Sequence, residues 1–175
     1  MNTLRPRGGM LLVSLWLVLL AGLRAETIID DAGRFAVDIA APQYRSEQET
    51  SSTAGRTIIH LLTHDGDGTG FIVGYNDYPP GSVAKLGAAA TLKKVKQGVL
   101  DSMESTATSE GDHQLGDTKG IEYAFAAKDK EGKFSGRVRS YFVGDRLYQI
   151  MYLGPPGTAN GEEAMHFLNS FRLLR

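Results

Sequence analysis

The sequence predicts an α+β fold: a mainly antiparallel sheet with helices packed on it. Three observations carry this. Residues 120–153 read as a three-strand meander, GIEYAFAAK, then FSGRVRSYFV, then RLYQIMYL. The order along the chain is strands, helix, strands, helix, with hairpin-length connections inside each strand group, the pattern of helices on an antiparallel sheet. The meander also carries large apolar side chains on both faces, where a sheet with one wet face shows plain polar residues.

The turn at Gly144-Asp145 sets the register of the last two meander strands. A two-residue loop with Gly first suits a type II′ hairpin, whose twist matches that of the strands. Val143 then faces Arg146, Phe142 faces Leu147, Tyr141 faces Tyr148 and Ser140 faces Gln149. Farther on, Arg139 faces Ile150, Val138 faces Met151 and Arg137 faces Tyr152. Because side chains alternate along a strand, one face receives Val138, Phe142, Leu147, Met151 and Leu153. The other receives Tyr141, Tyr148, Ile150 and Tyr152, with Arg137 and Arg139 among them.

The chain begins with a basic segment holding Arg5 and Arg7, then a short apolar run, MLLVSLWLVLLAGL, and Ala25 before Glu26. That is the pattern of a secretory signal peptide over residues 1–25. The apolar run is shorter than the roughly 20 residues a spanning helix needs. Residues 26–175 then form a single domain of about 150 residues, enough for a sizeable core. Removing Arg5, Arg7 and Arg24 from the 19 basic residues leaves 16 against 20 acidic ones, a formal charge of −4. That balance gives no basis for phosphate neutralisation, so no nucleic-acid partner is expected. Cysteine is absent, so an exported chain of this kind rests on its apolar core instead of disulfides. The expected location is bacterial, periplasmic or secreted, with no membrane span after signal removal.

From Glu26 the pattern gives a short strand over 26–29, a turn at 31–33, and a strand from the alternation of Phe35, Val37 and Ile39 that ends before Pro42. The polar stretch 43–56 reads as a loop with frayed strand ends. TIIHLLT at 57–63 is a strand, 64–69 its turn, and GFIVGYNDY at 70–78 the antiparallel partner. A first helix is expected over 83–103, with Leu86, Ala89, Leu92, Val95, Val99 and Met103 on one stripe. Lys93, Lys94 and Lys96 belong to its solvated face. Strand fragments over 105–110 and 113–116 precede the meander, whose first turn spans 129–133. A final helix carries Ala164, Phe167, Leu168 and Phe171 on one stripe, with Asn160 and Glu163 spaced as a capping pair. The two helices are expected on opposite faces of the sheet.

These residues carry a resemblance. GRVRSYFVGDRLYQIMYLGP, a short spacer and AMHFLNSFRLL, together with Leu115-Gly116, Gly120, Glu122 and FAVDIAAPQY upstream, resemble secreted bacterial proteins with a PsbP-like fold. PsbP itself is an extrinsic subunit of the photosystem. The likeness covers residues 34–174, with Lys119-Gly120-Ile121-Glu122 standing where that family often has Pro-Gly-Arg-Glu. It implies an α-β-α sandwich, docking to an unknown protein or envelope component, no cofactor, and no catalytic set.

Four residues invite a metal or hydrolase reading: His60, His64, Asp65 and Asp67. HDGDGT at 64–69 is similar to the nucleophile motif of the haloacid dehalogenase phosphatases, in which paired carboxylates flank Mg²⁺. That chemistry also needs downstream acids on a parallel sheet, and the only adjacent Asp pair, Asp30-Asp31, lies upstream. Asp-Gly repeats are what a tight hairpin uses. For Ca²⁺, Thr69 and Asn76 stand where an EF-hand loop would have its third ligand and its bidentate Glu. For Zn²⁺, His60 and His64 are suitable donors, but the spacing brings neither His113 nor His166 to them. No serine has a G-x-S-x-G context. A turn and ordinary strand polarity account for the four. Tyrosine and arginine are common at interface centres, so Arg137, Arg139, Tyr141, Tyr148 and Tyr152 are the candidate partner-binding face. The other account of that face is a helix lying over it, with the arginine stems packed beneath. The sequence therefore reads as an exported non-catalytic binding or structural module, with a metal-dependent hydrolase or a small-ligand carrier as alternatives.

Overall fold

A computed structural model of the chain describes residues 25–52, 55–127 and 133–174. The expected signal peptide lies outside them except for Ala25, as does most of the 129–133 turn. The strands are β1 (Ala25–Asp30), β2 (Phe35–Ala40), β3 (Tyr44–Ser52), β4 (Gly55–Gly66), β5 (Thr69–Asp77), β6 (Ser105–Leu115), β7 (Thr118–Ala127), β8 (Ser135–Val143), β9 (Arg146–Gly154) and β10 (Arg172–Leu173). The helices are α1 (Ser82–Leu86), α2 (Ala88–Ser102) and α3 (Glu162–Ser170), with a 3-10 turn at Thr158–Asn160. Seven strands form one sheet in the order β3-β4-β5-β9-β8-β7-β6, and β2 lies between β1 and β10 in a small second sheet. Every strand pairing among the described residues is antiparallel.

The β8–β9 register matches the expected one at every pair from Val143↔Arg146 to Arg137↔Tyr152. Gly144 takes φ 62° while Asp145 keeps a negative φ, the pattern a type II′ turn has. The two faces of this hairpin also separate as expected. Phe142, Leu147 and Val138 lie under α1 and α2, packed with Val83, Leu92 and Leu100. Tyr141, Tyr148, Ile150 and Tyr152 join Phe71 and Val73 under β2 and α3, against Val37, Ile39, Ala164, Phe167 and Leu168. Full burial of each such Val, Ile, Leu or Phe contributes about 1.5–3 kcal/mol. This is the α-β-α arrangement, with the small sheet sharing the layer of α3.

Four expectations are corrected. Stretch 43–56 is mostly strand: β3 pairs with β4 over nine positions, Tyr44↔Thr63 to Ser52↔Gly55. An edge strand needs only backbone partners on one side, and polar side chains along an edge discourage further pairing, so its composition reads as loop. The turn expected at 64–69 shrinks to Asp67 and Gly68, leaving His64, Asp65 and Gly66 in β4. The first helix is two helices, because Gly87 takes φ 81° between α1 and α2. Leu86 is consequently 52 % exposed, and Leu100 is buried in its place. Asn160 does not cap α3; Gly161 holds that position without a side-chain bond.

Candidate functional site

The β4–β5 hairpin closes with Gly66 opposite Thr69, and both loop residues, Asp67 (φ 49°) and Gly68 (φ 77°), have positive φ. Asp-Gly is the pair a type I′ turn favours, and the Thr69 hydroxyl donates to the Gly66 carbonyl at 2.7 Å. Asp67 is thus a turn residue. Asp65 is exposed beside Gly70, on the face opposite its neighbour His64 because strand side chains alternate. His64 is 4 % exposed, and its Nδ1 lies 2.9 Å from the Pro42 carbonyl oxygen. A carbonyl only accepts, so Nδ1 carries the proton there. His60 stacks on Tyr75 with centroids 4.6 Å apart, and its Nδ1 lies 3.0 Å from a Glu47 carboxylate oxygen. The four metal candidates are thereby divided between two faces and a turn. Among the described residues no three His, Cys, Asp or Glu side chains form a group able to hold a metal.

The fold instead brings His64 and Asp67 to a cleft of about 570 Å³ shared with His166, Glu162 and Glu163 of α3. The juxtaposition of His64 and His166 was not legible in the sequence, since the two are separated by most of the domain and meet only because α3 folds back over β2.

The tyrosine–arginine face is an interior. Tyr141, Tyr148 and Tyr152 are each 1 % exposed and Arg139 is 5 % exposed. Arg139 donates through Nε to Glu122 at 2.6 Å and through Nη1 to the Leu168 carbonyl at 2.9 Å. Leu168 lies in the last turn of α3, where a cation offsets unpaired carbonyls. Arg137 donates through Nε to the Ala159 carbonyl at 3.0 Å and pairs with Glu122 and the Asn160 side chain. Each tyrosine hydroxyl fastens a different element. Tyr141 reaches His113 Nδ1 at 2.7 Å, Tyr148 the Gly33 carbonyl at 2.7 Å, and Tyr152 the Thr158 hydroxyl at 3.2 Å. Of the two accounts of these five residues, a partner-binding face or a face with a helix lying over it, the second describes their packing: α3, β2 and the 3-10 turn cover them. The bulk and polar ends that suit an interface also suit a layer of sheet-to-helix fasteners.

The electrostatics follow from this packing. Burial alone raises the Glu122 carboxyl, but the hydrogen bond and charge of Arg139, then the charge of Arg137, carry it below its ordinary range. Burial pushes the Tyr141 hydroxyl up to about 12. Burial and the nearby Arg139 charge lower His113, so near neutral pH it is held as the uncharged ring.

No family model matches the sequence, and no curated protein is similar to it. Among solved structures, the solution structure of cyanobacterial PsbP (CyanoP) from Synechocystis sp. PCC 6803 aligns with a TM-score of 0.62 at 8 % identity, over 88 % of this chain and 95 % of that one. The chain has the PsbP-like fold. A crystal structure from Bacteroides thetaiotaomicron VPI-5482 aligns with a TM-score of 0.51 at 11 % identity, over 87 % of this chain and 49 % of that one. At such identities the likeness concerns the backbone, and it matches the α+β sandwich expected from the meander and helices.

Proposed function

We propose that this PsbP-like chain is an exported, non-catalytic binding module, acting in the periplasm or outside the cell on a protein or envelope component. One observation carries the reading: the side chains that suggested chemistry already hold structural positions. His64 is tied to Pro42, His60 is stacked on Tyr75, Asp67 makes the hairpin turn, and Asp65 stands on the opposite face from the histidines. The sequence over residues 1–25 supports export, and no helix among the described residues is long and apolar enough to cross a membrane.

Thermal unfolding with EDTA, Ca²⁺, Mg²⁺ or Zn²⁺ tests the non-catalytic reading, because a ligand of the folded state raises Tm by mass action. The expected result is an unchanged Tm. A rise with any of these ions that disappears in Asp65→Asn and Asp67→Asn would make the hairpin a metal site and overturn the reading. Export is checked by the mass of the protein recovered from a bacterial periplasm, expected to correspond to a start near Glu26.

A further inference from the structure

The α2 side of the sheet contains polar atoms with nothing to bond. The side-chain amide nitrogen of Gln149 and the hydroxyl of Ser140 are buried without hydrogen-bond partners. They face each other across β8 and β9, on the side of Phe142 and Leu147. Gln149 lines a cleft of about 440 Å³ between α2 and strands β4, β5 and β9. Asn76, on the same face of β5, lines it too and is only 6 % exposed. Buried amides are nearly always paired with protein, water or ligand, and leaving one unsatisfied is destabilising because its desolvation is not offset.

The walls define the chemistry. Ile59, Tyr78, Val99 and Leu147 supply apolar surface, and no lining residue is an acid, a lysine, an arginine or a histidine. A charged ligand would lose its hydration there with no counter-charge in return. Carboxamides offer both a donor and an acceptor, so two of them on one face suit a group that presents the complementary pair. The volume falls in the range of small-molecule pockets, roughly 300–1,000 Å³.

The mouth has a feature of its own. Gly98 lies inside α2 and lines the cleft, and a Cβ built on it would meet nothing within 4 Å. Packing therefore does not require glycine, although glycine inside a helix is less favourable than alanine. Its effect on the molecule is to leave the entrance unobstructed.

We propose that the cleft between α2 and strands β4, β5 and β9 binds an uncharged small molecule carrying an amide-type donor–acceptor edge on an apolar body, with Asn76 and Gln149 reading the edge. This rests on the binding-module reading, and a metal-dependent Tm would sink that reading without bearing on the titration below.

The test is a titration of the purified ¹⁵N-labelled protein followed by NMR, with benzamide as the uncharged probe and benzoate and benzylammonium as charged controls of the same size. Benzamide is expected to shift the side-chain amide signals of Asn76 and Gln149 and the backbone signals of α2 near Gly98, saturably, while the charged probes leave them in place. Gly98→Leu, which puts a side chain at the mouth, should weaken benzamide binding at least tenfold with the protein still folded. Gln149→Leu, which keeps the bulk and removes the amide, should do the same. Absence of a saturable shift would mean that water alone serves these groups and would overturn the proposal. So would an equal response to the charged probes, or wild-type binding by either folded variant.

Discussion

The two faces of the seven-stranded sheet treat polar groups in opposite ways. On the α3 side Arg139, Arg137, Glu122, Tyr141, Tyr148 and Tyr152 are all bonded, and the bonds run to α3, the 3-10 turn, β6 and the β1–β2 turn. Arg146 extends the pattern, gripping both Asp77 carboxylate oxygens and lying over the Tyr75 ring at 4.9 Å. On the α2 side Tyr123, Ser140, Gln149 and the α1 residue Ser82 carry the buried atoms without partners. One face is a completed interior that holds its covering elements in place. The other is covered mainly through apolar contacts, with Asp145 bonding the start of α1 and Lys96 pairing with Glu110 at its margins. It leaves the buried atoms of Tyr123, Ser140 and Gln149 without partners. Partners should therefore be sought on the α2 side, although tyrosine and arginine drew attention to the α3 side.

The comparison breaks most sharply at Arg139. Removing it leaves the Glu122 carboxylate to Arg137 alone and the Leu168 carbonyl without its guanidinium donor, so Arg139→Ala should lower stability by about 3 kcal/mol in urea unfolding. Retention of wild-type stability would show that the α3 face is not held by this network. Gly120→Ala comes next. A Cβ there falls inside contact distance of the Ser140 carbonyl oxygen and the Tyr141 ring, and this backbone approach has no slack. A loss of about 3 kcal/mol is expected, read as a Tm fall of about 10 °C for a domain of this size.

Acid should act on the α3 side. The folded state holds the Glu122 carboxyl below its ordinary value of 4.5. The stability it contributes is therefore present above pH 4.5 and is lost as pH falls through the lower folded value. His113 is likewise depressed from 6.5; it must accept a proton on unfolding, which weakens the fold as pH drops below 6.5. Glu122→Gln should flatten the slope below pH 4.5 in acid unfolding followed by circular dichroism. An unchanged slope would assign acid sensitivity elsewhere.

The finest contrast pairs neighbours in β8. Tyr141→Phe deletes a made hydrogen bond and should cost about 1 kcal/mol, whereas Ser140→Ala deletes an unmade one and should be neutral or stabilising by up to about 1 kcal/mol. Equal losses in both would erase the distinction between the faces. Gly98→Ala, in open space on α2, should raise stability by about 0.5–1 kcal/mol.

Wherever local chemistry was sufficient, the sequence by itself determined the outcome. A two-residue Gly-first turn sets the β8–β9 register without help, and alternation then sorts Val138, Phe142 and Leu147 from Tyr141, Tyr148 and Tyr152. The stripe of α3 is likewise local, since three- and four-residue spacing shows which side meets a sheet. That of the first helix held only in part: Leu92 is buried, Leu86 and Ala89 are exposed, and Thr91 and Leu100 are buried outside the expected stripe. What lay beyond reach depended on elements far apart in the chain. β3 is a strand because β4 offers it a backbone ladder, something its serines, threonines and glutamates do not announce. Glu122 meets Arg139 through the β7–β8 register, which the longer loop near residue 130 leaves open where a two-residue turn would not. Asp145, half of the turn that orders β8 and β9, also accepts hydrogen bonds from the backbone nitrogens of Gly81 and Val83 at 2.7 and 3.0 Å, at the start of α1. Which tyrosine is an anchor and which amide lacks a partner was decided only by the tertiary structure, because hydrogen-bond satisfaction depends on what packs opposite. That is not encoded within the reach of a single strand or helix.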